Sequence, residues 1–197
     1  MADKKEILSS IILQNRSYRR FDETFQIEDS TLKELVELAR LTPSAANLQP
    51  LKYVTCCNSE QNQNIFNTLN WAAYLKDWDG PSSGEKPTAY IVMLHDKNIK
   101  KVLNFDQGIA AQTIMLGAVS MGMGGCMIAS FHQKKLKQIL DIPEDMEILL
   151  VLAIGKPTEI VKIDPIVKNE VKYWRDDDKV HHVPKRSLDE ILVKAFK

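Results

Sequence analysis

The chain has 197 residues, enough for one well-cored domain and short for two. Hydrophobic residues make up 44% and charged residues 26%, and 26 basic side chains balance 26 acidic ones. A formal net charge of zero argues against nucleic-acid binding, which draws on an excess of basic residues.

No apolar run approaches a membrane span, and the first residues lack the apolar core and cleavage site of a signal peptide. Three cysteines, two of them adjacent (Cys56, Cys57), give no disulfide framework. The expectation is a cytoplasmic protein with neither membrane nor nucleic acid as partner.

Ile7, Ile11 and Ile12 at helical spacing predict a first helix over residues 3–14. Then comes N-R-S-Y-R-R-F-D, residues 15–22, with three arginines and a serine within five residues. Arginine stays charged and presents a planar fork of donors suited to phosphate, and Ser17 adds a hydroxyl. The residues alone leave two readings open, an anion site and a solvated basic turn. Asp29 or Ser30 should cap a second helix ending at residue 40, with Leu32, Leu35, Val36, Leu38 and Ala39 on its apolar face.

The stretch L-T-P-S-A-A-N-L-Q-P, residues 41–50, is fenced by two prolines and predicts a stiff loop. Ser44, Asn47 and Gln49 both donate and accept there, which suits the edge of a heterocycle as well as a self-satisfied turn. A strand over 51–57 and a polar helix over 59–69 follow, with Cys56 and Cys57 on opposite faces of the strand. Residues 69–87, carrying Trp71, Tyr74 and Trp78, predict a helical turn and an exposed loop, either a wall for a planar ligand or a satellite core.

Residues 88–95 read as a second strand. Residues 103–122 form a helix apolar nearly all round, hence buried, with small residues that admit another helix closely. After G-M-G-G at 122–125, a short strand spans 126–131. No G-x-G-x-x-G opens a helix after a strand, so a dinucleotide fold of that type is not supported. A basic helix over 134–140 precedes a central strand over 147–155. Beyond residue 157 periodicity is absent until Ser187, which caps a closing helix to residue 196; a tail of that length packs on something, either its own subunit or a partner.

Four of these stretches, R-S-Y-R-R-F, T-P-S-A-A-N-L-Q-P, G-M-G-G-C-M-I-A-S-F and P-K-R, occur in an order that resembles the nitroreductase family over nearly the whole chain. The resemblance implies an α+β fold, a single domain over 1–197 with a central, mostly antiparallel β-sheet flanked by helices. It implies a homodimer with FMN at the subunit interface and a C-terminal extension from about 157 wrapping the partner subunit. The small-residue helix would lie at the dimer contact.

Carried over by position, Arg16, Ser17 and Arg19 would hold the FMN phosphate, and Lys185 with Arg186 would close that site. Pro43, Ser44, Ala45, Asn47 and Gln49 would line the flavin from the opposite subunit, with Ile128, Ala129 and Ser130 against the ring. The chain departs from many relatives at Asn15, where they carry a basic residue, and at Ala129-Ser130, where some carry Glu-Gly.

The implied activity passes hydride from NADH or NADPH through flavin N5 to an electron-poor acceptor (nitroaromatic, quinone or free flavin) by a ping-pong mechanism. The flavin carries the chemistry, so no catalytic side chain is expected, and Lys76 is a candidate source of positive potential near the ring. A second reading keeps the flavin without general reductase activity, since fold does not fix function. His181 and His182 beside Asp176, Asp177 and Asp178 offer ligand atoms, yet adjacent histidines project apart and no metal is expected. Cys126 has no neighbouring base to make it a nucleophile.

Overall fold

The computed structural model describes residues 3–103 and 105–196, so Met1, Ala2, Asn104 and Lys197 of the expected ranges lie outside it. Its centre is an antiparallel sheet of Leu51–Cys56 (β1), Ala89–Asp96 (β2), Gly124–Ile128 (β3) and Met146–Gly155 (β4), in the order β1-β2-β4-β3. The apolar runs in β2 and β4 put them in the middle, where every residue of β2 from Ala89 to His95 is buried.

Alternation along these strands sends side chains to two cores. Ile91, Met93, Leu152 and Ile154 pack under Asp29–Arg40 (α2) and Asp106–Ser120 (α4), against Leu32, Leu35, Ile114 and Met115. Tyr90, Val92, Val151 and Ala153 face Ile65 of Ser59–Phe66 (α3) and Leu136 of Gln133–Ile139 (α5). Cys56 joins this second core while Cys57 packs on the first, as their adjacency in sequence requires.

Several expected boundaries move. Glu28, without a side-chain cap bond, occupies the N-cap of α2, because Asp29 lies inside the first turn and pairs with Lys33 at 2.6 Å. Helix α4 starts at Asp106 and is buried on one side only: Ala110, Ala111, Ile114 and Ala118 face the core, while Gly108, Ile109 and Gln112 are exposed. Gly117 serves contact within the chain, since a Cβ there would fall 2.6 Å from Leu38 Cδ1 of α2, whereas a Cβ on Gly108 would meet nothing within 4 Å. Strand β3 takes in the glycine pair and ends at Ile128; a Cβ on Gly125 would meet the Ala153 carbonyl oxygen.

The 69–87 stretch holds two successive turns, closed by Leu75 N–H to Ala72 O and Trp78 N–H to Leu75 O, without a helix. A positive φ of 39° at Ala72 is incompatible with one. The largest correction concerns the aperiodic tail. Val161–Pro165 (β5), Trp174–Arg175 (β6) and His181–Lys185 (β7) form a second sheet in the order β5-β7-β6, with β5 and β7 parallel.

This sheet packs on its own chain: Thr158 N–H bonds to Arg20 O, and Arg175 stacks over Trp78 at 4.3 Å. Ser187 opens a final helix with a reciprocal capping box to Glu190, but that helix (α6) covers only Leu188–Ile191.

Candidate functional site

The first helix, Lys4–Gln14 (α1), ends where Asn15 N–H bonds to Ile11 O, and the chain leaves it extended. Ser17 bridges Gly125, and Tyr18 N–H donates to Gly125 O at 3.0 Å. Glycine is required on that side: a Cβ on Gly124 would fall 2.7 Å from the Tyr18 ring. Phe21 then plugs fully buried into the fold. This seam fixes the arginine motif beside the first residues of β3.

The chain's six arginines fall into two groups. Arg20 pairs with Glu85, Arg40 with Glu37, Arg175 with Glu159 and Arg186 with Glu190. Among the described residues, Arg16 and Arg19 form no ion pair. Arg16 Nη2 donates to Ile12 O at 2.8 Å, and its Nε is buried without a partner. Arg19 Nη1 reaches Ser17 O at 3.2 Å and His181 Nε2 at 3.4 Å, with its guanidinium over the Tyr173 ring at 5.0 Å.

Burial, followed by the charges of Arg19, Arg175 and His182, pushes the His181 imidazole down to about 4. At neutral pH it is uncharged, and its Nε2 accepts a hydrogen bond from Arg19, so it does not compensate the guanidinium. Glu159 accepts from the Arg19 backbone N–H and pairs with Arg175 at 2.9 Å. Arg16, the exposed Ser17 and Arg19 thus follow one another along the seam beside β3, and among the described residues neither arginine has a carboxylate ion-pair partner, which leaves their charge available to an anion such as a phosphate.

The 43–49 loop is held from below. Ser44 Oγ donates to Asp106 Oδ2 at 2.5 Å, the Ala45 amide lies 3.3 Å from both Asp106 oxygens, and Gln49 N–H donates to Ser44 Oγ at 2.9 Å. Burial works against the charged form of Asp106, but the bonds from Ser44 and Ala45, aided by Lys100, hold its carboxyl below the usual carboxylate range. A cavity of about 560 Å³ opens beside this loop, lined by Pro43, Ser44, Gln49, Arg40, Tyr53 and Asp106 among others.

Ile128 ends β3 buried, and Ala129 and Ser130 follow it exposed. Asn70 ties down this corner: its N–H bonds to Ser130 O at 2.9 Å and its Nδ2 to Ser130 Oγ at 3.0 Å. Within one chain the structure brings Arg16, Ser17 and Arg19 to one end of β3 and Ile128 to Ser130 to the other. It does not bring the 43–49 loop to them, because β1 and β3 are opposite edges of the sheet.

Nor does it join Lys185 and Arg186 to Arg19. Strand β7 touches Arg19 at His181, and Lys185 is four residues, about 13 Å, further on. Arg186 is occupied by Glu190 and, at 3.2 Å, by Asn169. Lys76 is exposed. His182 sits between Asp164 Oδ2 at 2.6 Å and Asp176 Oδ2 at 3.0 Å and stacks on Trp174.

Asn70, Asp106, Glu159 and Tyr173 were not singled out by the sequence. Asp106 is 62 residues from Ser44 and sits in no motif, whereas Asn70, next to Trp71 in L-N-W, carried a faint signal. Cys126 is buried, and burial pushes its thiol up, away from the reactive thiolate.

Comparison with known proteins identifies the family and the fold. The nitroreductase family profile matches residues 12–80 and 86–156, and the chain belongs to the nitroreductase family. An NADPH-flavin oxidoreductase of Vibrio harveyi is 23% identical over 171 residues, spanning 78% of this chain and 67% of that protein. Among solved structures, a nitroreductase-like protein of Streptococcus mutans superposes with a TM-score of 0.68 at 17% identity, over 85% of this chain and 96% of that one. The FMN-dependent nitroreductase of Clostridium difficile R20291 does so with a TM-score of 0.60 at 22% identity, over 85% and 92% of the two chains.

Proposed function

We propose that the protein is an FMN-dependent oxidoreductase that takes reducing equivalents from NADH or NADPH and delivers them to an electron-poor small molecule such as a nitroaromatic, a quinone or free flavin. The observation that carries this reading is the pair Arg16 and Arg19, which among the described residues lack ion pairs while the other four arginines have them. Together with Ser17 they would bind the FMN phosphate. The buried, unpartnered Nε of Arg16 is the kind of orphan an anion would satisfy.

From Gly125 to Ser130 the chain advances about 16 Å, room for a ribityl arm between phosphate and ring. Ile128, Ala129 and Ser130 would face the ring, with Ser130 oriented by Asn70. Lys185 and Arg186, which stand apart from Arg19 here, would close on the phosphate only by a shift of the end of β7 that frees Arg186 from Glu190. FMN, when bound, supplies the hydride chemistry. The protein's own part is to orient donor and acceptor in turn over one surface and to exclude water.

The reading includes a homodimer in the cytoplasm. Pro43, Ser44, Ala45, Asn47 and Gln49 lie at the sheet edge opposite Ile128–Ser130, so only a second copy can present them to the ring. Exposed apolar side chains support the pairing: Ile7, Leu8 and Leu13 on α1, Phe105 and Ile109 at α4, and Leu192, Val193 and Phe196 in the tail. We assign those last residues, beyond the second sheet, to wrapping the partner. Among the described residues no helix is long and apolar enough to cross a membrane.

The test is anaerobic titration of the FMN-loaded protein with NADH and NADPH, followed by a quinone. Bleaching of the flavin absorption by nucleotide and its return with quinone is the expected result. Bound flavin that neither nucleotide bleaches would overturn the reductase reading and leave a flavin-binding protein.

A further inference from the structure

Resting on the reading above, we propose that Asp106 is a positioning residue for the flavin. Its buried carboxylate sets the 43–49 loop in the shape that meets the ring bound against a second copy. Asp106 touches none of the residues assigned to the phosphate. Its partners are Ser44 Oγ at 2.5 Å and the Ala45 amide at 3.3 Å, both assigned to the flavin.

The bonds form a relay. Because the Ser44 hydroxyl spends its proton on Asp106, its oxygen is left to accept from Gln49 N–H at 2.9 Å. One carboxylate thereby fixes both ends of the loop. The ionised carboxylate accepts from hydroxyl and amide together with both oxygens free of protons, and its place in the first turn of α4 favours that charge.

The loop needs such an anchor. Ala46, Asn47 and Gln49 hold φ of 53°, 54° and 53°, a region that side chains with a Cβ disfavour. Three such residues in four positions persist only where the surroundings over-determine them. Pro43 and Pro50 stiffen the flanks, but neither supplies a hydrogen bond from its nitrogen. With Asp106 only 3% exposed, water does not readily replace the missing carboxylate. Removing it frees the loop to relax.

The test is FMN titration of full-length apoprotein, comparing the unmodified chain with Asp106→Ala, Asp106→Asn and Ser44→Ala. It is read by quenching of flavin fluorescence and by visible circular dichroism of the bound ring. Asp106→Ala is expected to weaken FMN binding about tenfold and to reshape the visible dichroism. Asp106→Asn, which keeps one acceptor oxygen, should fall between it and the unmodified chain. Amide hydrogen exchange at Ala45 and Gln49 should speed up in Asp106→Ala even before FMN is added.

Should Asp106→Ala fail to fold, Asp106→Asn carries the prediction, and faster amide exchange at Ala45 and Gln49 of Ser44→Ala before FMN is added reads the relay apart from any flavin contact. Unchanged affinity and dichroism in Ser44→Ala and in every folded Asp106 variant, with the unmodified chain binding FMN, overturns the positioning role alone. An unmodified chain that takes up no FMN overturns the flavin reading and this inference with it.

Discussion

The two sheets are held together by different physics. In the central sheet β2 and β4 bury an apolar ladder on both faces, with Ile91, Val92, Met93, Val151, Leu152 and Ile154 wholly inaccessible. The second sheet has short strands, half-exposed side chains and few apolar contacts. It is tied down by the buried pair Arg175–Glu159, the His182 bridges to Asp164 and Asp176, and the aromatic contacts of Tyr173 with Tyr74 and His181. The first arrangement is insensitive to pH and salt, the second is not. The arginine motif lies on the seam, with Ser17 and Tyr18 on β3 and Arg19 against β7. A rigid sheet positions the motif, while a more responsive one surrounds its charge.

The sharpest break in that contrast comes from the core. Leu152→Ala should destabilise the whole chain by about 3–5 kcal/mol, read as a single shifted unfolding transition. Loss confined to the second sheet would mean that the central core is not the cooperative unit. Glu159→Ala comes next. It strands the half-buried Arg175 and should cost about 3 kcal/mol, concentrated in amides of β5, β6 and β7 during hydrogen exchange. Equal loosening of β2 and β4 would erase the distinction between the sheets.

The smallest effect is a pH dependence. Hydrogen bonds from His182 to Asp176 first and Asp164 second raise its imidazole above the ordinary value. A raised folded pKa stabilises fully below the unfolded value, and that contribution disappears as pH climbs through the folded one. Amides of the second sheet should therefore exchange faster, after correction for intrinsic rates, at about pH 8.5 than at about pH 5.5. His182→Asn should abolish the difference, and a difference that survives it belongs to another group.

How much was legible follows the same division. Continuous apolar runs in β2 and β4 and helical spacing in α2 and α4 announce themselves locally, so the central sheet could be read directly. The second sheet was missed because its strands are brief and carry charges: V-K-I-D-P does alternate, but β6 is two residues long and β7 opens on two histidines. The one-sided burial of α4 escaped because Ile109 is as apolar as Ile114, and composition does not say which face meets the core. The arginine motif was readable as a cluster. That Arg20 belongs to Glu85 while the Arg16 and Arg19 side chains form no ion pair among the described residues was not, since the pairing spans the fold. Asp106 was invisible for the same reason, a single carboxylate reaching a loop 62 residues away.

The central claim is that Arg16 and Arg19 hold the phosphate of FMN. Its most direct test is the flavin content of the Arg16→Ala, Arg19→Ala double variant, measured by visible absorption after equilibration with FMN and removal of the excess. The unmodified protein should retain the flavin. The double variant should lose it, with affinity lower by about a hundredfold or more and the far-ultraviolet dichroism of a folded chain unchanged. A folded double variant that keeps its full complement of flavin would contradict the account and reduce the motif to a basic turn.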